Sequence, residues 1–158
     1  MEAGFSSLIG QLLNGLAGAS SLFLVAAGLS LIFGVTRIVN FAHGSFYMLG
    51  LYVAYTLVER LSGSIGFWPA LLLAPLATGV LGAVVEMALL RRIYRAPELL
   101  QLLATFALVL VVKDAVLWAW GPEELFGPRA PGLEGSVHIL GRPFPAYDLL
   151  LIAIGPVV

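Results

Sequence analysis

The residues best suited to handling a small polar solute lie in one short stretch, Thr36-Arg37-Ile38-Val39-Asn40-Phe41-Ala42-His43-Gly44-Ser45-Phe46-Tyr47. Thr36, Asn40, His43 and Tyr47 are spaced 4, 3 and 4, so a helix through them would carry all four on one face. Polar side chains set among apolar helices face a cavity or another helix rather than lipid. A helix break at Gly44 would leave the second half starting with unpaired backbone N–H groups, with Ser45 as its cap. Such groups suit a carboxylate, and broken helices build sites of this kind in several transporters. Thr36, Asn40, His43, Gly44, Ser45 and Tyr47 are therefore the candidate substrate-path residues. The same stretch also reads as an ordinary turn in which Asn40 and His43 bond a neighbouring helix. Proton relay is the weakest reading, because His43 has no carboxylate close in sequence.

Other polar residues point to anchoring rather than chemistry. Lys113-Asp114 lies about 10 Å from the Trp120 end by helical rise, so Lys113 can reach the surface along its own stem. Glu86, five residues before Arg91, is expected near an interface and paired with a basic neighbour. Ala74, Thr78 and Gly82 repeat every four residues, which suits close helix packing. Enzyme signatures are missing: no phosphate-binding loop, no His-Glu-x-x-His and no Gly-x-Ser-x-Gly. No catalytic residue, metal ligand set or cofactor is expected. The absence of cysteine excludes disulfides and thiolate metal sites, and His138 has no ligand partner at useful spacing. Without a polybasic tract, nucleic acid is not an expected partner.

The elements that must position these residues follow from composition. Of 158 residues 60% are hydrophobic and 11% are charged, and mean hydropathy is +1.01. A soluble domain of this size could not hide that much apolar surface, whereas in a bilayer lipid is the solvent. Charge-free runs mark the spans, since crossing the hydrocarbon core takes about 20 apolar residues. Ala3–Thr36 is longer than that, and its small, polar Asn14–Ser21 stretch suggests a short lead-in segment to about Leu13, then a spanning helix to about Val35. Ile38–Val58, Leu61–Val85 and Leu99–Trp120 follow, with Pro75 expected to kink the third and Lys113-Asp114 interrupting the fourth. Residues 121–145 hold five prolines and five glycines, a density that no spanning helix survives. A fifth apolar run begins near Tyr147 and reaches Val158, too short to cross.

The expected fold is all-α: a polytopic transmembrane helix bundle, four full spanning helices plus the start of a fifth, forming one membrane domain over residues 1–158. An ending inside a span suggests a truncated product. Residue 2 is Glu and the first basic residue is Arg37, which argues against a removable signal peptide. Arg91, Arg92 and Arg95 place residues 91–98 and the Arg37 turn in the cytoplasm. The N-terminus, residues 59–68 and residues 121–146 are then outside, with Trp68, Trp118 and Trp120 at the outer boundary.

The stretch Gly28–Gly50, with its Asn40-Phe41-Ala42-His43-Gly44 core, closely resembles the signature of branched-chain amino acid ABC transporter permeases of the LivH type. Glu86 with Leu90-Arg91-Arg92, and Trp120-Gly121-Pro122-Glu123, also look like landmarks of that family, and the resemblance runs over about residues 10–158. It implies a multi-pass permease of the bacterial inner membrane, about twice this length and not itself an enzyme. The partners it implies are a second permease subunit, cytoplasmic ATPase subunits, a periplasmic substrate-binding protein and the lipid bilayer. It implies branched-chain amino acids as cargo, with amide and urea importers as relatives. The family's segment that docks on the ATPase follows the fifth helix, so this chain by itself is not expected to transport. The alternatives are an ATPase-independent channel or secondary transporter, and a non-transporting membrane fragment. The former predicts acidic residues facing a pore within the membrane, for which only Glu86 and Asp114 qualify.

Overall fold

The computed structural model describes residues 2–37, 40–61, 64–127, 130–139 and 142–158, and the side chains of 2–6, 36, 64, 65 and 142 lie outside that description. The chain forms two compact units, one of residues 29–128 and one of residues 1–28 with 129–158. Helix α1 (Glu2–Thr36) contributes to both. Helices α2 (Ala42–Arg60), α3 (Ser64–Val85) and α4 (Glu98–Trp120) belong to the larger unit. Strands β1 (Ser136–Ile139) and β2 (Arg142–Pro145) and helix α5 (Ala146–Ile154) belong to the smaller.

The outside of the helices is apolar: Trp118 is 91% exposed, and Leu12, Leu31 and Leu72 are each 71% exposed. Such a surface suits hydrocarbon or the cover of other helices rather than water. Among the described residues three helices are long and apolar enough to cross a membrane, Ser7–Val35, Gly66–Ile93 and Glu98–Trp120. The chain is accordingly a multi-pass membrane protein.

α1 is one unbroken helix of 35 residues, which corrects the expected lead-in segment ending near Leu13. Small residues cost a helix little when no water competes for the backbone, so Asn14–Ser21 does not interrupt it. The helix stops at Arg37, which takes a left-handed conformation (φ 55°) while its N–H still donates to the Phe33 carbonyl at 2.8 Å. Glycine normally fills that position, because a side chain there is strained.

In the larger unit α2 packs against α3 and α4. Gln101, Thr105, Leu108, Val112 and Val116 are the buried face of α4, spaced 4, 3, 4 and 4 as one helical stripe requires. Leu108, Val112 and Val116 form a core with Ala42 and Leu90, flanked by Phe46, Tyr52 and Trp120. The Trp120 indole N–H donates to Thr56 Oγ1 at 2.8 Å, and the Thr56 hydroxyl donates to the Tyr52 carbonyl at 2.9 Å. The Tyr52 and Trp120 rings lie 5.4 Å apart, so the end of α4 is tied to α2. Gly121 (φ 82°) ends α4, its N–H donating to the Leu117 carbonyl at 2.9 Å, and Pro122 follows.

α3 runs through Pro69 and Pro75 without a break. Thr78 Oγ1 donates to the Ala74 carbonyl at 2.8 Å, one turn beyond the proline. Ala74 is buried, and a side chain added at Gly50 would meet Thr78 Oγ1 at 3.4 Å, so small residues bring α2 and α3 together. At its end α3 widens into a π-helical segment, Glu86–Leu90, before one more α turn, Arg91–Ile93. The sequence carries no simple signal for that widening.

In the smaller unit the loop is not structureless. β1 and β2 pair antiparallel, Val137 with Phe144 and His138 with Pro143. Proline fits because a two-stranded hairpin is all edge. The Ala146 N–H closes the hairpin on the Gly135 carbonyl at 3.0 Å and leads into α5. Gly155 beyond α5 lies against Ser20 of α1, where an added Cβ would stand 2.9 Å from Ser20 Oγ.

Candidate functional site

A groove of about 710 Å³ in the larger unit runs along α2 and α3. Asn40, His43 and Tyr47 line it from the start of α2, and Gly50, Leu51 and Ala54 continue the wall. Leu71, Ala74, Pro75, Thr78, Gly79 and Gly82 form the opposite wall on α3, and Ile32 of α1 adds to the lining. Glu86, Leu90 and Tyr94 extend that wall past the π segment.

The structure divides the six sequence-predicted residues. Asn40, His43 and Tyr47 share the groove, but not because one helix runs through Thr36 and all of them. α1 ends before Arg37 and α2 begins at Ala42, so the break precedes Ala42 and is not at Gly44. Asn40 makes it: its Oδ1 accepts the Ala42 N–H at 3.0 Å, and its carbonyl accepts the His43 N–H at 3.2 Å. A short polar side chain that bonds the backbone two residues on is a turn-former, and here it starts the helix. Ser45 is buried inside the first turns of α2 and does not cap them. Gly44 is exposed, with nothing within 4 Å of an added Cβ, and does not line the groove. The Thr36 side chain lies outside the described residues.

Tyr94 is a groove residue that sequence reasoning missed, and Glu86 is one that it weighed only as pore-facing in a channel. Thr78, Gly82, Glu86, Leu90 and Tyr94 follow one another by fours. In an unbroken α-helix each step of four advances about 40°, so this row would wind away from the groove. A π turn closes its hydrogen bonds one residue later and takes up the excess, returning Leu90 and Tyr94 to the wall on which Glu86 lies. The run of fours is visible in the sequence, but only a π segment makes it a straight row.

Glu86 is half-buried and lines the groove together with Tyr94. Arg91, Arg92 and Arg95 are exposed. Burial first, then the charge of Glu86 and the hydrogen bond to it, push the Tyr94 phenol above its usual range. The loop carrying Tyr94 is held from behind: buried Gln101 donates through Nε2 to the carbonyls of Tyr94 at 3.1 Å and Ala96 at 2.7 Å. Lys113 and Asp114 are exposed on α4 and take no part in the groove.

The groove is thus amphipathic. Asn40, His43, Glu86 and Tyr94 come from the start of α2 and the far end of α3, while its remaining length is lined mainly by apolar and small side chains. A concave, mostly apolar surface with a few convergent polar groups is the usual form of a small-molecule site.

The sequence is similar to known proteins over most of its length. A family model described as the branched-chain amino acid transport system / permease component matches residues 11–153. The permease protein BraD of a high-affinity branched-chain amino acid transport system from Pseudomonas aeruginosa is 28% identical over 120 residues, 72% of this chain and 39% of that protein. The LivH permease proteins of such systems from Salmonella typhimurium and Escherichia coli K12 are each 26% identical, over 150 and 151 residues. Those matches cover 89% and 90% of this chain and 47% of each relative. The chain therefore spans about half the length of the curated relatives it matches. No solved structure matches it.

Proposed function

The chain belongs to the family of branched-chain amino acid transport permease components, and on that premise we propose that it is the membrane-embedded part of an ABC importer's permease subunit, carrying branched-chain amino acids across the bacterial inner membrane. The observation that carries this reading beyond the family match is the groove, in which Asn40, His43 and Tyr47 gather polar groups beside an apolar wall. A zwitterion with an apolar side chain needs both, because crossing apolar helices without polar contacts would leave its charges unsolvated. In this reading the groove belongs to the translocation path. Thr36, Gly44 and Ser45 serve it through the turn and first helical turns that carry Asn40 and His43.

α2, with 19 residues, acts as a fourth spanning helix beside the three apolar ones. It is about 28 Å long at ~1.5 Å per residue, close to the ~30 Å hydrocarbon core. Residues 1–158 work as one membrane domain, with α1 running through both compact units. The arginine-rich turn at 91–95 faces the cytoplasm and the hairpin faces outside. The ATPase subunits that supply the energy, a second permease subunit and a periplasmic substrate-binding protein are its partners, the last selecting which amino acid is delivered.

Uptake of radiolabelled leucine by the full-length permease with its partner subunits tests the proposal. Asn40→Ala and His43→Ala should each lower uptake at least several-fold at unchanged membrane level and ATPase assembly. Gly44→Leu, whose side chain enters open space, should lower it less. Normal uptake by both alanine variants would move the path away from this groove.

A further inference from the structure

The groove carries one ionic side chain, and it is negative. Among the described residues no Lys or Arg lines it, and Glu86 supplies its only carboxylate. Glu86 lies on the wall one turn beyond Gly82, where the α-helix ends and the π segment begins. Tyr94 lines the same wall, and a carboxylate has about four lone-pair sites, more than one neighbouring hydroxyl can fill. The arginines that follow are exposed on the next turns and do not line the groove. Beyond Glu86 the wall is small and mostly apolar, through Gly82, Gly79, Pro75 and Ala74, with the Thr78 hydroxyl donating to the Ala74 carbonyl of its own helix.

Resting on the permease reading above, we infer that Glu86 is the ammonium-recognising residue of the groove, so that the site prefers a molecule with a cationic head and an apolar tail. Tyr94 orients the carboxylate, and the π segment keeps Tyr94 on the same wall as Glu86. The apolar run toward Ala74 and Pro75 receives the aliphatic side chain. The groove would then discriminate an amino acid from the 2-oxo acid of the same carbon skeleton, which has the tail and the carboxylate but no ammonium.

The test uses the full-length permease in lipid nanodiscs, with any native cysteines replaced and a single Gly82→Cys introduced. Gly82 lines the groove, and nothing lies within 4 Å of an added Cβ. Its labelling rate is measured with a cationic thiosulfonate (ethyltrimethylammonium) and an anionic one (ethylsulfonate), each normalised to a free thiol. The cationic reagent should be favoured at least about tenfold, the lower range for a cleft lined by one sign of charge. Glu86→Gln should erase most of that preference, and L-leucine should protect the thiol where 4-methyl-2-oxopentanoate does not. Equal rates for the two reagents, or a preference that survives Glu86→Gln, overturns the inference. So does reaction with uncharged N-ethylmaleimide alone, which would mean that lipid or a helix fills the groove. If Glu86→Gln does not assemble, the charge preference and leucine protection of the parent protein decide the matter. Loss of uptake in the Asn40 and His43 variants without any cation preference would sink this inference while leaving the permease reading intact.

Discussion

The link between Trp120 and Thr56 should be measurable as a coupling energy. The indole N–H donates to Thr56 Oγ1 at 2.8 Å, and the Thr56 hydroxyl donates in turn to the Tyr52 carbonyl at 2.9 Å. Trp120→Phe removes the donor but keeps an aromatic ring beside Tyr52, whose centroid lies 5.4 Å from that of Trp120. It leaves Thr56 with its other bond, so the loss should be about 0.5–1.5 kcal/mol. Thr56→Val keeps the shape but leaves the indole N–H without its acceptor, which should cost about 1–3 kcal/mol. The double variant loses the same bond only once, so the single costs should exceed their joint cost by about 0.6 kcal/mol and by no more than about 1.7, the range found for interhelical bonds in membranes. The assay is equilibrium unfolding of the purified full-length permease in mixed detergent micelles, followed by far-ultraviolet circular dichroism. Strict additivity within about 0.3 kcal/mol would refute the view that this bond fastens α4 to the helix that follows Asn40 and carries His43.

Arg37 occupies a left-handed position (φ 55°), so Arg37→Gly should be about 1 kcal/mol more stable than Arg37→Ala in the same unfolding assay. Equal stability would show that no strain is stored there. Gly155→Ala would bring a Cβ within 2.9 Å of Ser20 Oγ and 3.1 Å of Ser20 Cβ. It should destabilise by about 1–3 kcal/mol, and a second change, Ser20→Gly, should recover most of the loss. A variant with Tyr94→Cys should react with an impermeant thiol reagent from the cytoplasmic side only, and one with Glu134→Cys from the outside only, whereas the reverse pattern would invert the topology. Deleting Ala88 from the π segment should turn the helix beyond it by about 100° relative to α3. That should lower leucine uptake more than replacing Ala88 by Leu, and equal uptake by the two would remove the role given to the π turn.

The membrane class is legible in the residues alone, because hydropathy is a property of composition and lipid imposes few demands beyond it. Runs free of charge locate α3 and α4 within a few residues, and five prolines with five glycines rule out a spanning helix over residues 121–145. The Asn40–Gly44 core likewise points to its family by residue type and spacing, since polar residues at fixed spacing are rare inside apolar chains. Three things depend on the tertiary structure. The first is where the helix breaks: Gly44 has the residue type of a breaker, yet Asn40 turns the chain by bonding the Ala42 N–H, a choice between local hydrogen bonds that residue types leave open. The second is which polar residues share a surface, since Ser45 turns into the packed interior while Tyr47 turns to the groove. The third is the role of Glu86. Read as an α-helix, the row of fours beyond it winds away from the groove, and the π turn, where Leu90 packs into the core with Ala42 and Leu108, keeps Tyr94 on its wall. Hydrogen-bond register within a helix is decided by the packing on its sides, which no local sequence pattern encodes.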